Sequence, residues 1–561
     1  MSNPFAPPPN HLAQAIQKAL EAHQRGQFDD AEKGYRKILK TWPDHFDALH
    51  LYGMLQFQRG KPNDALKLIT QALKLAPRSA DAQSNLGMVL ATLKRTADAL
   101  ASFDKALAVE PNNVGALVNR GRVLVETGRA EEGLASLDKA LAREPRHIEA
   151  RLNRGNALFQ LRRHDEAVRE YDQALAFQPG HPGAHFNRGN ALFAQNLAAE
   201  AVEAFDRVLL SNPKSETAWN SRGVALQALG RNPDAIASFD RALALKPNYP
   251  DAHFNKSLSL LAMGDYPQGF TEYEWRWKRT GMPEPRIYRE PLWTGAQELS
   301  GKTLLVHAEQ GLGDTIQFAR YVPQLAAMGA NIILQVQPEL KSWLSGIEGV
   351  SQVIARGEPE PKFDLQSPMG RLPLAFKTEI STVPAAIPYL TAPADRVESW
   401  RTRLPAGGKP RIALAWGGSL MHANDQNRSM PLSAILPLLA ADVQFISLQR
   451  ELRSGDERIL VDEPRLMHLG GEISDFADTA AIVSLCDLVI SVDTSVAHVA
   501  GALGRPLWML IACAPDWRWT LDGASPWYPK AWPFRQKRPG DWAGVISDVS
   551  VALQQALARP A

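Results

Sequence analysis

Three short segments of this chain carry side chains that could hold an anion or move a proton. The first runs from Ser491 to Pro506 and reads Ser-Val-Asp-Thr-Ser-Val-Ala-His-Val-Ala-Gly-Ala-Leu-Gly-Arg-Pro. Asp493, Thr494 and Ser495 fall where a buried strand gives way to a helix, with His498 one turn further on. Free backbone amides and the positive end of the helix dipole make such a corner a phosphate site, and the two hydroxyls add donors. The same residues would also suit an ordinary corner in which Asp493 and Thr494 only cap the helix. The second segment is Glu309-Gln310-Gly311-Leu312-Gly313-Asp314. Gly311 and Gly313 permit close backbone approach, but a third glycine is missing, so this is not a dinucleotide fingerprint. Asp314 could take a proton from a hydroxyl within hydrogen-bond reach, or could cap a helix beginning at Thr315. The third segment, Trp416-Gly417-Gly418-Ser419, leads into a polar loop with His422, Asn424, Asp425, Asn427 and Arg428. One arginine on such a loop suits clamping a diphosphate, and a plain solvated loop fits it too. Gln449 is a weaker candidate of the same kind. Trp508, Trp517, Trp519, Trp527, Trp532 and Trp542 could stack on a base or sugar, with core packing as the simpler role.

The elements that must position these groups alternate strand and helix. Thr303–His307 predicts a strand, Thr315–Leu325 an amphipathic helix and Asn331–Val336 a second strand. After a proline-rich stretch between Pro359 and Pro410 the pattern restarts at Arg411–Trp416, Val443–Leu448, Leu488–Val492 and Leu507–Ile511. That alternation predicts parallel sheets in two Rossmann-like lobes, 301–395 (short) and 408–558, with ligands beyond the carboxyl ends of the strands. A linker rich in Gly, Pro and Arg is expected over 281–300.

The first half of the chain is ruled by a different period. Pro43, Pro77, Pro111, Pro145, Pro179, Pro213 and Pro247 stand 34 residues apart. That spacing predicts an all-α tetratricopeptide solenoid over 11–280, about eight helical hairpins, each second helix closed by its proline. Gly53, Gly87, Gly121, Gly155, Gly189 and Gly223 recur on first helices, with Ser257 in the last unit. Ala65, Ala99, Ala167, Ala201 and Ala235 recur on second helices, and Gly133 keeps that small slot in the unit lacking alanine. Ile69, Phe103, Leu137, Tyr171, Phe205, Phe239 and Tyr273 supply bulk in register, expected to fill the gap between hairpins. Asn85, Asn119, Asn153, Asn187 and Asn255 lie two residues before the small position, roughly 200° around the helix. A ladder of amides there could hold an extended peptide by its backbone, or could serve the packing of the hairpins themselves. Arg120, Arg154, Arg188, Arg222 and Lys256 follow in a basic stripe, expected to be solvated or structural.

The totals exclude several classes. With 561 residues the chain exceeds one core, and 45% hydrophobic, 22% charged and a net charge of +2 describe a globular protein with no strong field for nucleic acid. The opening residues do not resemble a signal peptide, and no run suits a membrane span, so a cytoplasmic protein is expected. Two cysteines, Cys486 and Cys513, make neither a disulfide framework nor a metal knuckle.

With these residues in place the chain resembles bacterial tetratricopeptide-repeat glycosyltransferases whose catalytic half is similar to the heptosyltransferase family, and its plan looks like that of O-GlcNAc transferase. The resemblance rests on the repeats, on His-Ala-Glu-Gln-Gly-Leu-Gly-Asp-Thr-Ile-Gln-Phe, and on Asp-Thr-Ser-Val-Ala-His with its Gly-Ala-Leu-Gly-Arg-Pro tail. It implies a GT-B fold, a nucleotide-sugar co-substrate, no metal and no other cofactor. Asp314 and His498 become the catalytic candidates. Gly311, Gly313, Arg428, Gln449, Asp493, Thr494 and Ser495 become donor-binding candidates, and His498 is a family donor-phosphate contact as well. Ser495 stands where the family pattern has glycine, and the short first lobe suggests that the end of the solenoid completes the acceptor side. The asparagine ladder resembles the one O-GlcNAc transferase uses for polypeptide, which implies a protein acceptor, flagellin-type proteins among them. A transferase acting on lipopolysaccharide or another glycan, and a repeat scaffold without turnover, are the alternatives.

Overall fold

The computed structural model describes residues 10–279, 281, 286–405, 407–422, 424–521 and 523–558. The first nine residues, where a leader was sought, and residues 282–285 of the expected linker lie outside the described residues. The chain divides into two compact units at Pro213 and Lys214. Among the described residues sixteen helices precede the first strand, pairing in sequence as eight hairpins. Six hairpins, from Asn10–Gln24 to Ala198–Ser211, belong to the first unit. The second unit opens with two more, Glu216–Ala228 with Asn232–Leu245 and Pro250–Ala262 with Tyr266–Tyr273, and continues into the sheets.

The repeat spells out its own boundaries. The residue before each proline is the C-cap of a second helix (Trp42, Ala76, Glu110, Glu144, Gln178, Asn212 and Lys246), because proline disfavours helical backbone at the residue before it. Two residues past the proline, a capping side chain starts the next first helix. His45, Ser79, Asn113, His147, His181 and Ser215 each accept from the backbone amide three residues on. The side chains of Gln83, Arg151, His185 and His253, each six residues after a proline, reach back to that proline's carbonyl.

The glycines mark where two helices touch. A methyl group built on Gly53 would lie 2.6 Å from Ile69, on Gly87 2.5 Å from Phe103, and on Gly189 2.7 Å from Phe205. These pairs lie within a hairpin, so the bulky residues fill the gap inside each hairpin, and Ile69, Phe103 and Tyr171 also share apolar clusters with Val89, Val123 and Ala191 of the hairpin that follows, as expected from sequence. Sixteen residues separate glycine from its partner, the distance from one helix across a tight turn to the facing position on the next. Gly189→Ala is therefore expected to overpack one hairpin and cost roughly 1–3 kcal/mol. A urea melt of the two proteins with coincident midpoints would contradict this. Ser257 takes the glycine position in the last hairpin, buried, with its hydroxyl bonded to the Phe254 carbonyl at 2.6 Å.

The second unit then builds two wholly parallel sheets. The first contains β1 (Thr303–His307), β2 (Asn331–Val336), β3 (Val350–Ala355) and β4 (Leu365–Pro368), in the order β3-β2-β1-β4. The second contains β5 (Arg411–Ala415), β6 (Gln444–Ser447), β7 (Leu466–His468), β8 (Leu488–Val492), β9 (Leu507–Ile511) and β10 (Ala531–Arg535), in the order β10-β9-β8-β5-β6-β7. Read from β5, this is the doubly wound order 3-2-1-4-5-6. Tyr266, Phe270 and Tyr273 of the last hairpin share one apolar core with β1 and with Trp517 and Trp527 of the second lobe. The Trp527 indole donates to the Tyr266 hydroxyl at 2.9 Å. The last two hairpins thus belong to the same compact unit as the lobes.

Candidate functional site

A doubly wound sheet has one point where successive connections leave in opposite directions, and the crevice outside the strand ends there is open to a ligand. In the second sheet that point lies between β5 and β8, paired from Ile412–Leu488 to Ala415–Ser491. Asp493, Thr494 and Ser495 leave β8 and enter the helix Ser495–Ala502. Thr494 is the N-cap by position, yet its side chain makes no capping bond and lies 3.2 Å from the Ser491 hydroxyl. Arg428 is brought to the same corner, donating through Nη1 to the Asp493 carbonyl at 3.1 Å. Its guanidinium is packed against Gly418, which leaves no room there for a methyl group. Loss of hydration, reinforced by nearby Asp516, pushes the Asp493 carboxyl up to about 6.

Gln449 does something else. Its Oε1 accepts from the amides of Trp416 and Gly417 at 3.2 and 3.0 Å, and its Nε2 donates to the carbonyls of Gly417 and Glu451, both at 3.0 Å. Four bonds exhaust a primary amide, so Gln449 braces the turn after β5 and has nothing left for a ligand.

The first sheet has its own switch point between β1 and β4. The helix after β1 runs Leu312–Phe318, three residues earlier than the sequence suggests, with Gly311 at its N-cap. Asp314 is consequently the third helical residue and not the N-cap, and its side chain caps the helix from that position. Its Oδ2 accepts from the Gly311 amide at 2.9 Å. Its Oδ1 accepts from Arg518 of the second lobe. Glu309, at the strand end, has a side chain only 6% exposed. It accepts from Arg276 at 2.9 Å and from the Gly370 amide after β4 at 3.2 Å, and its other oxygen has no partner. Burial raises its pKa, with Arg276 acting against the rise.

The two crevices meet. A methyl group on Gly313 would lie 2.6 Å from Cδ2 and 3.0 Å from Nε2 of His498, so the glycine is what lets the first lobe close on the imidazole. His498 Nδ1 lies 2.7 Å from the Tyr528 hydroxyl. Burial, with the charges of Arg518, Arg320 and Arg428, holds His498 well below its ordinary pKa and therefore neutral. Arg518, itself buried, also donates to Asp516 at 2.9 Å and to Gln317. Partial loss of hydration and the charge of Arg428 lower the pKa of His422 on the third segment's loop, against the pull of Asp516 and Asp314. Asp314, Gly313, His498, Arg428, Asp493 and Thr494 thus gather around one cleft.

Arg518, Tyr528, Arg320 and Glu309 were missed as site residues by sequence reasoning. Glu309 stood inside a quoted segment, and Arg518 between two tryptophans read as core. Trp517, Trp519 and Trp527 are indeed buried, Trp519 stacked on Tyr528 with centroids 5.5 Å apart. Among the described residues no group of three His, Cys, Asp or Glu is placed to hold a metal ion.

On the repeats, Asn85, Asn119, Asn153, Asn187 and Asn255 are all half-buried. Asn85 pairs with His50 at 2.9 Å, Asn187 donates to Asn156 at 2.9 Å and Asn255 to Asn220 at 3.1 Å. These three therefore tie successive first helices together while keeping part of their amide capacity. The basic stripe is structural. Arg120, Arg154, Arg188 and Lys256 each meet the aspartate sixteen residues earlier, Asp104, Asp138, Asp172 and Asp240, at 2.6–2.7 Å.

Comparison with known proteins agrees with this architecture. Residues 16–62, 51–113, 118–183, 186–252 and 221–277 match the tetratricopeptide repeat family, and residues 461–531 match glycosyltransferase family 9 (heptosyltransferase). The latter stretch contains Asp493, Thr494, His498, Arg518 and Tyr528. Protein FlbA of Caulobacter vibrioides is 26% identical over 316 residues, 51% of this chain and 52% of that protein. The match thus spans about half the length of this relative. A tetratricopeptide repeat protein from Parabacteroides merdae is 20% identical, covers 44% of this chain and 98% of its own, and has a TM-score of 0.37. PilF of Pseudomonas aeruginosa is 22% identical, covers 37% of this chain and 94% of its own, and has a TM-score of 0.34. No helix among the described residues is long and apolar enough to cross a membrane.

Proposed function

We propose that this chain, which joins tetratricopeptide repeats to a glycosyltransferase family 9 (heptosyltransferase) domain, is a cytoplasmic GT-B transferase. It moves a sugar from a nucleotide-sugar donor to a Ser or Thr hydroxyl of a protein held along its repeats, without a metal and with inversion. The observation that carries this is the meeting of the two switch points, Gly313 against His498 and Asp314 with Arg518. The corner at Thr494 with Arg428 receives the donor phosphate, where the helix N-terminus and a guanidinium stabilise the departing nucleotide. The base removes the acceptor proton, the oxygen attacks the anomeric carbon, and the nucleotide leaves from the opposite face. One such displacement inverts the centre.

Neutral His498 is better placed as base than Asp314, since both Asp314 oxygens are already engaged. The half-buried asparagines support a polypeptide acceptor, and a flagellin-type protein fits by resemblance of plan. The test is a thermal-shift screen with CMP, UDP, GDP and ADP, followed by mass spectrometry of Ser/Thr peptides incubated with the matching donors. One nucleotide should stabilise the fold by about 2.7 kcal/mol at a hundredfold excess over Kd, and Thr494→Ala should abolish the shift. Replacing the five asparagines by alanine should raise the KM for the peptide and leave donor hydrolysis unchanged. Turnover confined to lipopolysaccharide would make a glycan the acceptor, and nucleotide-independent peptide binding without turnover would make the protein a scaffold.

A further inference from the structure

His498 has one ring nitrogen toward Tyr528 and the other toward Gly313, and a neutral imidazole carries a single proton. Which nitrogen holds it decides whether the cleft faces a base or a donor. Behind Tyr528 lies a second tyrosine. The Tyr528 and Tyr389 hydroxyls are 3.5 Å apart, and the Tyr389 hydroxyl donates to the Ile316 carbonyl at 3.1 Å. A carbonyl oxygen can only accept, so the Tyr389 proton lies on Ile316 and its oxygen presents lone pairs to Tyr528. The Tyr528 proton then has an acceptor in Tyr389, which frees its own oxygen to accept from His498 Nδ1. That arrangement would orient the 2.7 Å contact from the ring to the phenol.

The frame holding this row is tight. Gly501 leaves no room for a methyl group beside the Tyr528 ring. The amides of Tyr389 and Leu390 bond to the Ala502 carbonyl, at 3.1 and 3.3 Å, at the end of the helix that carries His498. The Arg320 guanidinium lies over both phenol rings, 4.6 Å from that of Tyr389 and 4.9 Å from that of Tyr528. Ile316 belongs to the helix Leu312–Phe318, which carries Gly313 and Asp314, so the row of hydroxyls starts on the element that carries one side of the cleft and ends on the other.

We propose that Tyr528 and Tyr389 are positioning residues that hold His498 as the Nδ1–H tautomer, so that bare Nε2 faces the cleft as proton acceptor. This rests on the proposed transfer only for the use made of Nε2, since the tautomer is a property of the protein without substrate. The full-length chain labelled with nitrogen-15 histidine, with the His498 signals identified by their loss in His498→Gln, reports both nitrogens directly. Nδ1 should read as protonated and Nε2 as bare. Tyr389→Phe removes the hydroxyl that sets the direction, and Tyr528→Phe removes the acceptor. Both should move the proton toward Nε2, and Tyr528→Phe should lower transfer kcat by roughly 10- to 100-fold with nucleotide affinity unchanged. A protonated Nε2 in the parent, or a tautomer indifferent to both substitutions, overturns the proposal. If Tyr528→Phe fails to fold, Tyr389→Phe decides alone. Bare Nε2 in a protein that transfers no sugar would leave the tautomer standing and sink the transferase reading instead.

Discussion

His498→Ala is expected to lower kcat for sugar transfer by roughly 10²- to 10⁴-fold while nucleoside diphosphate still raises the melting temperature, because the imidazole supplies the proton acceptor and the helix corner supplies the phosphate site. The pH profile should show the same origin. Burial and three guanidiniums favour the neutral ring, so His498 stays a base below the ordinary histidine range. The acid limb of kcat should therefore lie below pH 6.5, activity being lost only as pH falls through the depressed value. Asp314→Asn offers the contrast. Asp314 pairs with Arg518 across the lobes, so its loss should loosen closure and act on KM and stability more than on the chemical step. Steady-state kinetics of the two variants decide between them. A collapse of kcat in Asp314→Asn with a near-normal His498→Ala would assign the base to Asp314.

Glu309→Ala is expected to destabilise the second unit by about 3 kcal/mol, toward the lower end of the 3–5 kcal/mol typical of breaking a buried ion pair. Arg276, with a side chain 4% exposed, would lose one of two carboxylate partners and keep Glu274 at 2.7 Å. The Gly370 amide would lose its acceptor as well. The seam continues from Glu274 to Arg371, so the residues following the last hairpin are bound through four charges to the first lobe. Glu309→Gln keeps an acceptor for both donors and should cost less than Glu309→Ala. Replacing Arg276 and Glu309 together by Met and Leu should recover much of the loss, since no charge is then left buried alone. Urea unfolding of the four proteins measures this, and equal midpoints for Glu309→Ala and the parent would show that the seam does not hold the unit together.

What the sequence by itself determined is what depends on neighbours along the chain. A 34-residue repeat places proline, cap, glycine and bulky partner at fixed offsets, and each acts on a residue within the same hairpin or the next. Strands β1, β2, β8 and β9 are likewise legible to the residue, because each is a run of five or six residues, mostly apolar, between polar loops. The strands that escaped notice are short or lie at edges. β7 has three residues, β4 contains Gln366 and Pro368, β10 carries Pro533, and β3 carries Ser351 and Gln352. An edge strand or a strand end tolerates proline and polar side chains that mask its pattern.

The tertiary structure decided everything that joins distant segments. Arg518 lies 204 residues beyond Asp314, and Tyr389 and Tyr528 are separated by 139. No local pattern marks these residues, because what selects them is a buried partner contributed by another lobe. Gln449 shows the converse. It has the place and chemistry of a ligand contact in sequence, and only the folded turn after β5 shows that backbone groups already take all four of its bonds. The sequence could name the residues around the cleft because they follow strands. Which of them can still hold a ligand or a proton depends on hydrogen-bond partners that only folding brings within reach.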